Sequence, residues 1–211
     1  MPDFAIPDMR APADLGNSSP VSYTINISVT NWGNLGFNRA PVLSKTAKVG
    51  QQSSRRGAPR PIPSGIRATK DYTGTTHGWV WVDVYVDPNP FPTIPGNLGN
   101  CPAQGGGVNY AWVYALGIGE TVNVPVDCYI LGGGHNYYAQ VDTCENPPNA
   151  CSPSYGYVLE LSEVNNIGGP AVSGASWHNP NPTPTPVPTP VPTPVPGWRN
   201  PLFLPGIFKG P

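Results

Sequence analysis

Glycine and proline interrupt this chain so often that no stretch longer than twelve residues is free of both; the two that reach that length are Val21–Trp32 and His135–Asn146. Glycine brings too much backbone freedom to a helix, and proline removes a helix donor, so a mostly helical fold is excluded. The uninterrupted segments alternate instead. Val21, Tyr23, Ile25, Ile27 and Val29 fall on one face of 21–32, and Ser22, Thr24, Asn26, Ser28 and Thr30 on the other. This is the period of a half-buried antiparallel strand. Residues 79–87 repeat it, with Val80, Val82, Val84 and Val86 inward. Further strands are predicted at 110–116, 121–129, 136–143 and 155–161, separated by clusters of Gly, Pro and Asn. Many short strands with such turns predict an all-β sandwich or barrel.

Only 11% of residues are charged and the net charge is −1. That excludes a highly charged disordered chain and a broadly basic nucleic-acid binder. No run of eighteen apolar residues is present, so no membrane-spanning helix is expected. The first residues lack the basic and apolar regions of a signal peptide, which leaves either a cytosolic protein or one whose signal has been removed. Four cysteines, Cys101, Cys128, Cys144 and Cys151, favour the second and an extracellular location. Three pairings are open. Cys144–Cys151, closing a short Pro-rich loop, is preferred, and Cys101–Cys128 follows by elimination. Zinc is disfavoured, since the closest pair has six intervening residues. Asn17 and Asn26 open N-glycosylation triplets.

Two segments differ from the strand-rich body. Seven of the eleven Lys and Arg lie between Lys45 and Lys70, with no acid among them. Residues 40–75 are expected to be a solvated loop inserted between strands, or else a contact for an acidic face of another subunit or an anionic polymer. Residues 179–196 carry Pro at every second position from Pro180 to Pro196. Fixed φ and extended preceding residues predict a polyproline II-like stalk, roughly 55 Å long at about 3.1 Å per residue. Thr183, Thr185, Thr189 and Thr193, flanked by Pro, are candidates for O-glycosylation. After the stalk come Trp198, Leu202, Phe203, Leu204, Ile207 and Phe208, too apolar for a solvated end and expected to dock. The predicted divisions are a sandwich over 1–175, a stalk over 176–197 and a docking peptide over 198–211.

The strands also follow a recognisable order: Pro2-Asp-Phe-Ala-Ile, Ile25-Asn-Ile-Ser-Val-Thr-Asn-Trp-Gly-Asn, Val82-Asp-Val-Tyr-Val-Asp, Leu116-Gly-Ile-Gly-Glu-Thr-Val-Asn-Val, Tyr137-Tyr-Ala-Gln-Val-Asp and Glu160-Leu-Ser-Glu-Val-Asn-Asn. Over residues 2–168 the chain resembles the CARDB-type (cell-adhesion-related) immunoglobulin-like domains of bacterial and archaeal surface proteins. The resemblance implies a secreted, non-catalytic β-sandwich used in adhesion. In the family a final alternating strand follows this last stretch, which ends here in Asn165-Asn166. Here Ile167-Gly-Gly-Pro-Ala-Val follows, which reads as a poor strand. The expectation is therefore an incomplete sandwich, finished by a strand from an identical subunit in a surface fibre. Candidate donors are the N-terminal segment with Phe4 and Ile6, and the peptide with Leu202, Phe203, Leu204, Ile207 and Phe208. One end folding back within its own chain is the alternative.

Catalytic chemistry finds little support. His77, His135 and His178 sit beside Gly, Asn or Trp, and no nucleophile-elbow or metalloprotease motif is present. Gly132-Gly-Gly-His135 precedes a strand and reads as a turn. Asp83 with Asp87 and Glu160 with Glu163 are carboxylate pairs that read as solvated charge. Calcium at Asp142, Glu145 or Glu163 is a weaker alternative, and no cofactor is expected. Trp79, Trp81 and Tyr85 share the outward face of their strand. They suggest a glycan-stacking platform, a subunit contact, or a second buried layer beneath the inserted loop. The reading is a non-enzymatic, glycosylated extracellular structural protein; the alternative is a monomeric carbohydrate-binding or adhesion module.

Overall fold

The computed structural model describes residues 3–33, 48–54, 69–70, 76–77, 79–89, 99–114, 116–143, 160, 162 and 165–180. The elements in chain order are β1 (Phe4–Ala5), β2 (Asp8–Arg10), β3 (Val21–Asn31), β4 (Lys48–Ser54), β5 (Thr69–Lys70), β6 (Thr76–His77), β7 (Val80–Val86), β8 (Val108–Tyr114), β9 (Thr121–Ile130), β10 (Asn136–Val141), β11 (Ile167–Val172) and β12 (Ser176–His178). All are strands. Two antiparallel sheets face each other as an immunoglobulin-like sandwich; β5 and β6 form a separate small ribbon.

In the first sheet β3 is central. It pairs with β9 from Val21–Ile130 to Thr30–Thr121 on one edge. Its other edge takes β1 and then β2, and β12 extends the sheet beyond β2. The second sheet has the order β11-β10-β7-β8-β4. The apolar stripes read from the sequence meet between the sheets: Tyr23, Ile25, Ile27 and Val29 of β3 and Val124 and Val126 of β9 face Val80, Val82 and Val84 of β7. Phe4, Ile6 and Met9 are buried in the same core.

The segment expected to leave a gap supplies its own strand. Residues 167–172 pair with β10, and after the turn at Ser173–Gly174 the chain crosses to the other sheet, where β12 pairs with β2. Propensity misleads here because the glycines serve close approach. A Cβ on Gly168 would stand 2.5 Å from Ile6 Cγ2 and 2.9 Å from Trp177 Cζ3, so only hydrogen lets β11 lie against the opposite sheet. Gly169 has φ +120° and, with Pro170, forms a bulge opposite Tyr138, where a residue without an N–H costs no ladder bond. The premise of an incomplete sandwich is thus overturned. Phe4 and Ile6 are not available for donation either: they are fully buried in their own domain, with β1 paired to β3. The alternative of a terminal segment folded back within its own chain describes the N-terminal strands.

A second correction concerns the basic insertion. Lys48–Ser54 is not loop but an edge strand, paired with β8 from Lys48–Tyr114 to Ser54–Val108. Gly50 is opposite Trp112, whose indole occupies the space a side chain would need. The predicted strand at 155–161 lies almost wholly outside the described residues, as do residues 181–196 of the stalk and the apolar peptide; Ser176–His178, expected to begin the stalk, instead form β12 of the first sheet.

The long side away from β11 and β12 is closed by a disulfide, Cys101–Cys128, between β9 and the segment before β8, which bonds to Val84 near the end of β7 and to Asn109 at the start of β8. Cys101 N–H donates to Val84 O, and Tyr129 N–H to Pro102 O at 2.7 Å. Gln51 and Asn109 reach the backbone of Asp127, so part of the outer edge of β9 is occupied. Cys144 and Cys151 lie outside the described residues.

Two outcomes are expected. Gly168→Val should destabilise by about 1–3 kcal/mol, the usual cost of overpacking, in urea unfolding followed by tryptophan fluorescence. Replacing Cys101 and Cys128 together by Ser should remove about 3–4 kcal/mol, the chain-entropy value for a bridge spanning 27 residues.

Candidate functional site at the His135 end

Strand direction gives the sandwich two ends. At one, β2, β9 and β11 run out into the loops 11–20, 131–135 and 173–175, and β7 ends at Asp87. Side chains and backbone tie these loops together across long sequence separations. Asp14 Oδ1 accepts from Gly16 N–H at 2.8 Å and from Gly133 N–H at 2.9 Å. Gly132 N–H donates to Asn17 O, and a Cβ on Gly132 would stand 2.3 Å from Asn17 N. Gly174 N–H donates to Pro12 O at 2.7 Å. Ser173 and His135 exchange bonds: His135 N–H donates to Ser173 Oγ and Ser173 N–H to His135 O.

The charged centre of this end is His135 with Asp87. Asp87 has φ 44°, a left-handed conformation that Asp tolerates better than most residues. Its Oδ1 accepts from Asn136 N–H at 2.8 Å and its Oδ2 meets His135 Nδ1 at 2.6 Å. The second ring nitrogen, Nε2, is 3.2 Å from Leu131 O. Only the protonated ring can donate to both acceptors. The hydrogen bond to Asp87 therefore raises the His135 pKa above 6.5, against the opposing effect of burial, with Leu131 O acting in the same direction. Burial pushes Asp87 up, but Asn136 N–H and His135 outweigh it and the pKa falls below 3.8. Asp14 is lowered by Gly16 N–H and Gly133 N–H.

The signs define a window. The contribution of His135 is complete below 6.5 and is lost as pH rises through its higher folded value. Those of Asp87 and Asp14 are complete above 3.8 and are lost as pH falls through their lower folded values. All three ties hold together between those limits.

At the opposite end a buried polar cluster fastens β1. Asp3 Oδ1 accepts from Asn165 Nδ2 at 2.8 Å, and Asp3 N–H donates to Asn31 Oδ1. Phe4 N–H donates to Glu160, whose other oxygen accepts from Asn166 Nδ2 at 3.1 Å. Burial raises the Asp3 pKa, partly countered by Asn165. Glu160 is thus a buried strand fastener, not solvated charge. Among the described residues no group of three His, Cys, Asp or Glu is placed to hold a metal ion; Glu145 and Glu163 lie outside them.

The aromatic platform does not form as an exposed surface. Trp81 is 1% and Tyr85 4% exposed, and Trp79 is partly buried. Trp81 packs edge-on to Tyr110 at 5.2 Å and to Trp79 at 5.8 Å. Tyr85 OH donates to Gln140 Oε1, and Asp83, read as solvated, is fully buried beside Gly99. The outward face of the second sheet is thus buried at Trp81, Asp83 and Tyr85; residues 55–68 and 71–75 of the insertion lie outside the described residues. Asn26 lies on the outer face of the first sheet, where its Oδ1 accepts from Asn123 Nδ2; Asn17 is half-buried in the loops at the His135 end. The four stalk threonines lie outside the described residues. His135 itself was read only as a turn residue. Its partners Asp87 and Asp14 stand 48 and 121 residues away in sequence, and no local motif joins them.

No protein-family model matches the chain, and no curated protein matches it. Among solved structures it is similar to one from Pyrococcus furiosus, at 16% identity and a TM-score of 0.37, over 84% of this chain and 87% of that one. That structure is a CARDB domain. It was crystallised in complex with di-metal ions. The sandwich assignment here rests on the two sheets and their shared core. Among the described residues no helix is long and apolar enough to cross a membrane.

The His135–Asp87 contact is testable by NMR titration. His135 should titrate above 6.5 in the native protein, and Asp87→Asn should bring it down toward 6.5. An unchanged value would remove Asp87 as the cause.

Proposed function

We propose that this protein is a non-enzymatic, extracellular module of the adhesion type: a disulfide-stapled sandwich that displays tied loops at one end and is joined to a Thr- and Pro-rich stalk at the other. The observation that carries the reading is the Cys101–Cys128 bridge between the two sheets. Such a bond persists in an oxidising compartment and is rare in the cytosol. The direction of β12 supports it further. β12 runs from Ala175 beside Ala11 to Asn179 beside Pro7, so the chain leaves the sandwich away from the His135 end. A stalk there would hold those loops outward.

Binding by loops on a rigid sandwich is a common use of this architecture. Glycosylation of Thr183, Thr185, Thr189 and Thr193 fits a stalk exposed to solvent and proteases. Assembly by strand donation is not retained, because the chain's own β1, β11 and β12 close the sandwich.

In cells that make this protein, a label confined to the outside should reach it, and non-reducing peptide mapping should recover Cys101 joined to Cys128. A chain that is inaccessible on intact cells and carries free thiols at both positions would defeat the proposal.

A further inference from the structure

The ties at the His135 end hold apolar side chains out in water. Leu15 is 67% exposed, and Leu131 and Val172 are each 51% exposed. They belong to neighbouring backbone: Leu15 precedes Gly16, which lies against Gly132, which follows Leu131. Val172 precedes Ser173, which bonds to His135. Loops 11–17, 131–135 and 173–175 contain no Lys or Arg. With Asp14 and Asp87 held ionised by their hydrogen bonds and the His135 ring set against Asp87, the surface combines exposed apolar groups with a net negative charge centred on Asp14.

One segment of this chain has the complementary chemistry. Residues 198–209 carry Trp198, Leu202, Phe203, Leu204, Ile207 and Phe208, with Arg199 and Lys209 as their only charges. They follow the Pro-repeated 179–196, whose reading as an extended spacer gives a span of roughly 55 Å. The described chain enters that spacer at Asn179, at the end of the sandwich away from His135. The body is shorter than the spacer: β3, of eleven residues, is about 36 Å long. A semi-rigid spacer leaving that end would carry its peptide away from its own Leu15 and Leu131.

We infer that the surface formed by Leu15, Leu131, Val172, Asp14 and Asp87 is a docking site for the apolar, cationic segment 198–209 of a second copy of this chain. The contact is head-to-tail and uses two different surfaces, so it can propagate. It differs from strand donation, since each sandwich is already complete. It also stands apart from the adhesion reading, because it concerns a partner of the same sequence and is tested in purified protein.

The test is sedimentation velocity of the full chain over a concentration series, with a synthetic peptide of residues 198–211 as competitor. Concentration-dependent association is expected, abolished by deleting 198–211 and reversed by the free peptide. Leu131→Asp and Leu15→Asp should each weaken it by about tenfold or more, the effect of removing a central apolar anchor, with unfolding midpoints confirming intact folds. Asp14→Asn offers a polar control, expected to weaken association and flatten its salt dependence. A full chain that stays monomeric would overturn the inference. So would peptide binding without association of the full chain, which would place the segment on its own domain. Association indifferent to both leucine variants would overturn the site.

Discussion

Gly168 lets β11 come against Ile6 and Trp177, and that approach closes one long side of the sandwich. The rest of the architecture depends on it. With β11 in the second sheet and β12 in the first, residues 167–178 join the sheets and occupy the flank where a donated strand would have entered. Any side chain at 168 would hold the sheets apart where β1 and β2 must also bury Phe4, Ile6 and Met9. The opposite flank is closed by different means, with a covalent bridge and contacts to the backbone of β9.

How much of this was legible follows from what each strand uses to hold itself. β3, β7 and β9 are long and alternate, because apolar stripes on one face are what they contribute. Their periods could be read directly. β11 contributes shape, through the absence of side chains at two positions, and propensity scores that absence as weakness. β4 alternates little, and its pairing is visible only once Trp112 is placed over Gly50. The outward aromatic face of β7 was recognised, but its fate depended on Tyr110 and Gln140, contributed by β8 and β10. The stalk reading rests on proline fixing local geometry irrespective of its surroundings, and residues 181–196 lie outside the described residues.

The candidate site was less visible than the fold for a related reason. Its polar groups are single residues on separate loops, joined by backbone donors at Gly16, Gly133 and Asn136. The Gly132–Gly134 run marked a turn correctly. It could not indicate that Asp14 would cap that turn, or that Asp87 would hold the ring of His135. What the sequence did offer was the exceptional apolar character of residues 198–209, for which Leu15 and Leu131 are the proposed complement.

The orientation of β12 has a mechanical consequence. A pull on the chain beyond Asn179, resisted at the loops of the His135 end, would act nearly along the strands. Hydrogen bonds in an antiparallel ladder lie perpendicular to that direction. The bonds between Ser176–His178 and Asp8–Arg10 would therefore share the load in shear instead of opening one after another like a zip. Tension would pass from β12 through β2 into β3, the most extensively paired strand of the first sheet, so the polarity of one three-residue strand sets how the whole body bears traction.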